Sequence, residues 1–372
     1  MTDLTDVPKT PADLGVAPEP PMRLLGEDGE LLAGAADAGI TAELTRGLYR
    51  DMVLARQFDQ DAFNLQRQGE LGLWLSCRGQ EAAQVGSIRA VRASDHVFPS
   101  YREHAAALCR GLEPAELLTQ WRGTAHGGWD PSGYRFHLYS LVLSTQLLHA
   151  TGYALGVAAD RRREPGVDEI VLCYFGDGAA SQGDANEALN WAAVTGAPLV
   201  FFCQNNQWAI STPSAAQSRT PLHVRAAGFG LTATVVDGND VLAVHAATAA
   251  AAARVRAGGP PEFIEAITYR MAGHSTSDDP TRYRDAEEVR RWEERDPVTR
   301  VRRLLDARGW AGEEFHTALK EEATALSEAT RAACRALAPP PLEDTFRHTL
   351  VEETAALRAE RERYTAWRES FA

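Results

Sequence analysis

The sequence predicts an α/β protein built on a doubly wound parallel sheet, and two observations carry that expectation. Apolar runs at 171–175 (VLCYF) and 198–203 (PLVFFC) have the length and composition of strands buried on both faces. Between them the pattern is helical, with Ala188, Leu189, Trp191, Ala192 and Val194 as its apolar positions. The second observation is where the polar residues fall. Gly176-Asp177-Gly178 follows the first run and Asn205-Asn206 the second. In an open parallel sheet, ligands bind outside the carboxyl ends of the strands. Asp177 and Asn206 are therefore placed to share one ligand.

The chemistry of that pair is specific. A single carboxylate, an amide oxygen and a nearby backbone carbonyl are the donors that Mg²⁺ accepts when phosphates complete its octahedron. Gly176 and Gly178 let the backbone approach a diphosphate, and the following helix would point its N-terminus at the negative charge. Two rival phosphate sites are excluded. A GxGxxG fingerprint would need glycine where Ser181 stands, and no GxxxxGK[ST] occurs. With only Lys9 and Lys320 in the chain, no lysine is at hand to cradle a nucleotide.

Composition narrows the class further. At 372 residues the chain can bury a sizeable core, and its formal charge of −13 speaks against nucleic acid or an anionic membrane as a partner. No apolar run is long enough to span a bilayer, and the first residues lack a charged-then-apolar signal pattern. Cys77, Cys109, Cys173, Cys203 and Cys334 have neither zinc nor disulfide spacing, which points to a reducing cytoplasm.

Taken in order, residues 1–40 are rich in Pro, Gly, Asp and Ala and read as an extended arm, not a packed element. Thr41 begins a long amphipathic helix with Leu44, Leu48, Met52, Ala55, Phe58, Ala62 and Leu65 at helical spacing. Residues 69–79 form a loop and 80–91 a helix. A short strand at 95–98 ends in PSYREH (99–104), where Arg102 is suited to a diphosphate. Helices follow at 113–122 and 145–159, the second carrying His149 as a packing residue. After the central unit come a polar loop (211–221), a strand (232–236), a helix (241–256) and a strand (262–269). The polar loop 270–284, RMAGHSTSDDPTRYR, has no apolar anchor of its own and should be mobile without a ligand. Charged amphipathic helices at 287–308 and 313–335, Pro339-Pro340-Pro341 and a last helix at 342–367 complete the chain. The expected organisation is an arm (1–40), a cofactor-binding domain (41–310) and a C-terminal helical region (311–372).

GDG at 176–178 followed about thirty residues later by NN at 205–206 resembles the signature of the thiamine-diphosphate fold. The resemblance extends to the alpha subunit of the heterotetrameric 2-oxo acid dehydrogenase first component, E1. It rests on six ordered segments: GQEAAQVGS (79–87), VFPSYREH (97–104), GDGAASQGD (176–184), FFCQNNQWAIS (201–211), VDGNDVLAV (236–244) and YRMAGHSTSDDPTRYR (269–284). The resemblance runs from Leu44 to about Leu305, some 260 residues, and the last segment looks closer to branched-chain than to eukaryotic pyruvate enzymes.

The resemblance implies roles. Asp177, Asn206 and the carbonyl of Trp208 would hold Mg²⁺. Tyr101, Arg102 and His274 would contact the diphosphate, with Gly176, Gly178 and Ala179 beside it. Gln204 stands where some relatives place an arginine on the phosphate, and glutamine can offer only a neutral hydrogen bond. Leu141 and Leu143 fall where the family meets the cofactor rings, although Val142 replaces its usual proline. Ser140, Thr145 and Gln146 match a potassium site of some relatives, and a helix start explains the same residues. His274, with a reference pKa near 6.5, can donate to phosphate or pass a proton during acyl transfer. Ser275 matches a serine phosphorylated in mitochondrial relatives. Leu73, Trp74, Ser100 and Tyr101 match positions near the substrate side chain.

The expected function is oxidative decarboxylation of a 2-oxo acid, branched-chain favoured over pyruvate, with the acyl unit passed to a lipoyl-bearing E2. A beta subunit would complete the site in an α2β2 heterotetramer. Acetoin dehydrogenase alpha subunit is the enzyme alternative, and a cofactor-binding scaffold the non-enzymatic one.

Overall fold

The computed structural model describes residues 20–164 and 166–371. Residues 1–19 of the expected arm lie outside the described residues. Residues 20–40 do not form a free arm. Met22 bridges Val236 in parallel, its N–H donating to the Val235 carbonyl at 2.9 Å. Leu24 and Leu25 are buried in the core, and their N–H groups both donate to Asp240 Oδ2 at 2.7 Å. A carboxylate beneath the segment holds it where hydrophobic periodicity gives no sign.

The first helix, α1 (Ala42–Arg67), is capped by Thr41 and buries Leu48, Met52, Ala55, Phe58, Ala62 and Leu65, the stripe expected of it. After an extended loop come α2 (Glu81–Ala90), the edge strand β1 (His96–Phe98), α3 (His104–Cys109), α4 (Pro114–Arg122) and the single turn α5 (Pro131–Tyr134). Helix α6 (Thr145–Arg163) leads into β2 (Val171–Gly176), then α7 (Gly183–Thr195) and β3 (Leu199–Asn205). The region expected to be a plain loop holds a small hairpin, β4 (Trp208–Ala209) with β5 (Thr212–Pro213), and a turn of helix α8 (Ser214–Gln217). Helix α9 (Leu222–Gly228), β6 (Thr232–Asp237), α10 (Val241–Arg256) and β7 (Glu262–Ile267) finish the sheet.

The sheet order is β1-β2-β3-β7-β6, with every pairing parallel. Register places Cys173, Phe201 and Phe263 side by side on one face, and Tyr174, Phe202 and Ile264 on the other. The first face is covered by α6 and α7, the second by α1, α2 and α10. Both faces are buried, which is why the central strands are apolar without alternation. This is the doubly wound arrangement the sequence predicts.

Three expected packings differ. Trp191 and Val194 on α7 are exposed, because that helix turns only Ala185, Ala188, Leu189 and Ala192 to the sheet. His149 is exposed instead of packed. The helix expected at 287–308 is two, α11 (Ala286–Glu293) and α12 (Pro297–Arg308). Pro297 cannot continue the first, and Asp296 caps the second by accepting from Thr299 N at 2.8 Å.

Helix α13 (Glu313–Ala336) packs on α1, with Leu319 and Cys334 joining the same core. The last segment is α14 (Asp344–Arg347) and α15 (Ala355–Glu369), interrupted at 348–354, not one continuous helix. Among the described residues no helix is long and apolar enough to cross a membrane.

Candidate active-site cleft

The carboxyl ends of β1, β2 and β3 open into one cleft of about 410 Å³. The residues expected to hold the metal and the diphosphate line it: Tyr101 and Arg102 beyond β1, Gly176, Asp177, Gly178 and Ala179 beyond β2, Gln204, Asn206 and Trp208 at and beyond β3. Leu141 and Leu143 form a lip, and His274 comes from the loop after β7. Five chain segments thus converge where a parallel sheet presents its ligand crevice.

Asp177 is buried with its carboxylate turned to protein donors, Asn206 N at 3.3 Å and Ser214 Oγ. Burial pushes its pKa up. A buried anion of this kind is relieved by a cation. Asn206 Oδ1 takes the Trp208 N–H at 3.2 Å, and the Trp208 carbonyl takes Arg270 Nη1 at 3.0 Å. Among the described residues no three His, Cys, Asp or Glu side chains gather to form an all-protein cage. One carboxylate with amide and carbonyl oxygens instead suits Mg²⁺ carrying phosphate oxygens.

The glycines differ in their reasons. A Cβ on Gly176 would meet nothing nearer than the Gln204 carbonyl at 3.9 Å, so the cleft is open there. On Gly178 it would strike Ala209 Cβ at 2.6 Å, so that glycine answers to protein packing and not only to a ligand. Nor does α7 itself reach the cleft. The 3₁₀ turn Ala179–Ser181 intervenes, and Gly178 and Ala179 supply the lining.

Positive charge collects opposite. Arg102 is buried, donating Nη1 to the Ser76 carbonyl and Nη2 to the His274 carbonyl at 2.8 Å. Arg270, which sequence reasoning did not single out, is 1% exposed. It donates to the carbonyls of Trp208 and Ile210 and leaves Nε without a partner. Burial first, then repulsion from Arg102, pulls its pKa down to about 10. Two buried guanidiniums spent on carbonyls call for an anion between them. The residues present fit a diphosphate.

His274 Nδ1 lies 3.4 Å from both Arg102 Nη2 and Arg270 Nη1. Two donors on one ring nitrogen make it the acceptor and leave Nε2–H as the donor. Burial, with Arg102 and Arg270 beside it, lowers the ring's pKa to about 3, so it is neutral at pH 7. The loop bearing it is anchored, contrary to expectation. Asp278 Oδ2 takes the His274 N–H at 2.6 Å and the Tyr283 hydroxyl, and Tyr283 packs on Trp208.

Some assignments shift. Gln204 lines the cleft, but its amide is committed at both ends, Nε2 to Glu103 and Oε1 to Gln80 and Gln84. Nε2 spends one of its two hydrogens on Glu103, so at most one neutral hydrogen bond is left for a phosphate. Trp74 is fully buried, stacked on His104 and donating Nε1 to Asp59 at 2.9 Å. In that extended loop neighbouring side chains alternate, so Leu73 and Leu75 line the cleft with Ser100 and Tyr101. Of the potassium residues, Ser140 and Gln146 line it and Thr145 does not. Gln146 Nε2 donates to the Tyr174 carbonyl, leaving Oε1 buried without a partner. Leu141, Val142 and Leu143 are 50%, 72% and 40% exposed, an uncovered apolar lip. Besides Arg270, the buried Gln80 and Glu103 were missed: both stand inside the segments 79–87 and 97–104, but nothing local says that their side chains turn to the cleft.

Residues 49–342 match the family described as dehydrogenase E1 component. The chain is 44% identical over 353 residues to the Mycobacterium tuberculosis 3-methyl-2-oxobutanoate dehydrogenase subunit alpha, covering 93% of this chain and 94% of that one. It is 36% identical to the mitochondrial 2-oxoisovalerate dehydrogenase subunit alpha of Mus musculus, over 92% of this chain and 79% of that one. The Arabidopsis thaliana 2-oxoisovalerate dehydrogenase subunit alpha 2 is 36% identical over 81% of this chain and 65% of its own.

Proposed function

Because the chain belongs to the dehydrogenase E1 component family, we propose that it is the alpha subunit of a branched-chain 2-oxo acid dehydrogenase. The observation that carries the reading is the single cleft in which Asp177, Asn206 and Trp208 meet Tyr101, Arg102 and His274. Asp177, Asn206 Oδ1 and the Trp208 carbonyl would hold Mg²⁺. Tyr101, Arg102, Arg270 and His274 would face the diphosphate across it, with Gly176, Gly178 and Ala179 alongside. Gln146 Oε1 and Ser140 are the oxygens for a potassium ion. When bound, thiamine diphosphate supplies the nucleophilic carbon and the electron sink that let the 2-oxo acid lose CO₂.

The chain's own residues do the rest. Arg102 and Arg270 attract and orient an anion in a site that burial makes electrostatically strong. His274, neutral with its proton on Nε2, can donate a hydrogen bond from Nε2–H to charge developing on an oxygen or sulfur during acyl transfer to the lipoyl group of an E2. Leu73, Leu75 and Tyr101 give an apolar wall suited to an aliphatic side chain. The exposed Leu141–Val142–Leu143 lip is where a beta subunit would cover the cleft and supply the other half of the cofactor site. The five free cysteines accord with a reducing cytoplasm.

The test is co-expression with its beta partner and assay of the assembled enzyme on 3-methyl-2-oxobutanoate and pyruvate, with a lipoyl domain as acceptor. The branched acid should be preferred by at least about tenfold in kcat/KM. Preference for pyruvate would move the chain to the pyruvate class, and turnover of neither would refute the 2-oxo acid reading.

A further inference from the structure

An asparagine that ligates a cation must present its oxygen and turn its NH₂ away, although the two ends of the amide are nearly alike in size. Asn206 Nδ2 donates to Gln80 Oε1 at 3.0 Å. Gln80 Nε2 donates to Gln204 Oε1 at 2.9 Å, and Gln204 Nε2 donates to Glu103 Oε1 at 2.7 Å. The four side chains form a directed relay ending on a carboxylate. We infer that Glu103 and Gln80 are positioning residues for the metal site, fixing through Gln204 which end of the Asn206 amide faces the cleft. The inference rests on the Mg²⁺ reading above and adds residues that no signature of the chain assigns.

The direction of the relay is determined from its far end. Glu103 is surrounded by donors: Ser100 N at 2.8 Å, Arg102 N at 3.3 Å, and Ser100 Oγ at 2.9 and 3.1 Å from the two oxygens. A group so placed accepts, and Gln204 must meet it with its NH₂. Gln204 Oε1 is then the only end left for Gln80, whose NH₂ must fill it. Gln80 Oε1 in turn can only accept, and Asn206 is left with its oxygen free of the relay.

A second lock acts on the same atom. Gln84 Oε1 takes the Ala105 N–H at 3.1 Å, which turns Gln84 Nε2 toward the Arg102 carbonyl and Gln204 Oε1, at 3.0 and 3.1 Å. The backbone thus fixes Gln84, and Gln84 fixes Gln204 independently of Glu103. Glu103, Gln80 and Gln204 are each 1% exposed, Gln84 is fully buried and Asn206 is 7% exposed, so water cannot easily heal a reversed link. Reversing Asn206 would set its NH₂ beside the metal position and its oxygen against Gln80 Oε1. At the near end, the Trp208 N–H on Asn206 Oδ1 agrees with the direction imposed from the far end.

The measurement is Mn²⁺ affinity by electron paramagnetic resonance on the assembled enzyme with saturating thiamine diphosphate, alongside assembly and melting temperature. Glu103→Gln, which keeps the shape but lets the terminal group donate, and Gln80→Met, which removes the acceptor, should each weaken Mn²⁺ binding about tenfold. Asn206→Ala should weaken it further. Asn206→Asp offers oxygen at both ends, so on that background Gln80→Met should cost less than twofold or restore affinity. Equal losses on both backgrounds would mean that Gln80 only packs, which overturns the inference. Parental affinity in Glu103→Gln and Gln80→Met, with loss in Asn206→Ala, would overturn the relay and leave the metal site standing. Parental affinity in Asn206→Ala as well would overturn the metal reading itself. If Glu103→Gln fails to assemble, the Gln80 pair on the two backgrounds decides the matter.

Discussion

Arg300 Nη1 lies 3.0 Å from Asp237 Oδ2, and both side chains are buried beneath the carboxyl end of β6. The same guanidinium donates Nε to the Gly26 carbonyl at 2.9 Å and Nη2 to the Leu25 carbonyl, with Asp240 Oδ2 3.8 Å away. One side chain on α12 therefore ties the segment at residues 22–26 to the sheet. Arg300→Ala should leave the Leu25 and Gly26 carbonyls without their donor and Asp237 Oδ2 with only the Arg23 guanidinium at 3.2 Å, costing about 3–5 kcal/mol. Denaturant unfolding of the assembled protein checks it, and a loss below about 1 kcal/mol would show that water replaces the guanidinium.

That segment also shows what the sequence could not disclose. Residues 22–26 pair through backbone groups with Asp240 and Arg300, which lie more than two hundred positions away. No local pattern encodes such a partner. The central unit was legible for the opposite reason: two strands buried on both faces must be apolar throughout, and the polar residues at their ends then stand out. Trp191 and Val194 misled because apolar character does not say which face of a helix meets the sheet. Arg270 looks in sequence like any arginine after a strand, and only burial reveals it as a cleft cation. Gln204 was assigned to a phosphate by position, whereas Glu103 and Gln84, distant in sequence, claim its amide.

Four buried or half-buried histidines should pull stability down in acid. Burial above all lowers His104 and His274 to about 3, and His96 and His137 to about 4. Unfolded, each returns to about 6.5. Below that value the unfolded chain binds protons that the folded chain refuses, so stability falls as pH drops from about 6.5 toward 4 and is flat in this respect above 7. Melting temperatures from pH 8 to pH 4.5 should decline only below about 6.5. The replacement His104→Asn should shallow that decline, and an unchanged slope would assign it to other groups.

Asp177→Ala removes the only carboxylate in the proposed metal set. Mg²⁺ and thiamine diphosphate affinity should fall together, by about tenfold or more, while assembly and melting temperature stay near the parent. Calorimetric titration of the assembled enzyme measures both. Unchanged affinity for either would remove Asp177 from the site.

His274 is held by its own neighbours before any ligand arrives: Asp278 on its N–H, Arg102 on its carbonyl, two guanidiniums on Nδ1. Its ring is thereby fixed as a neutral donor through Nε2, and its loop needs no further ordering to present it. A donor preorganised in this way contributes roughly 10²–10³-fold when it stabilises charge developing in the rate-limiting step. His274→Ala should therefore slow acyl transfer to the lipoyl domain by about 10²-fold. Decarboxylation read with an artificial electron acceptor should fall much less if the Nε2 donor serves the transfer step. Limited proteolysis should find residues 272–284 cut slowly with or without cofactor in the parent, and rapidly in Tyr283→Ala, which loses the packing on Trp208 and the hydroxyl on Asp278. Equal losses in the two activities would make His274 a binding group for the diphosphate alone, and its donor role in acyl transfer would be withdrawn.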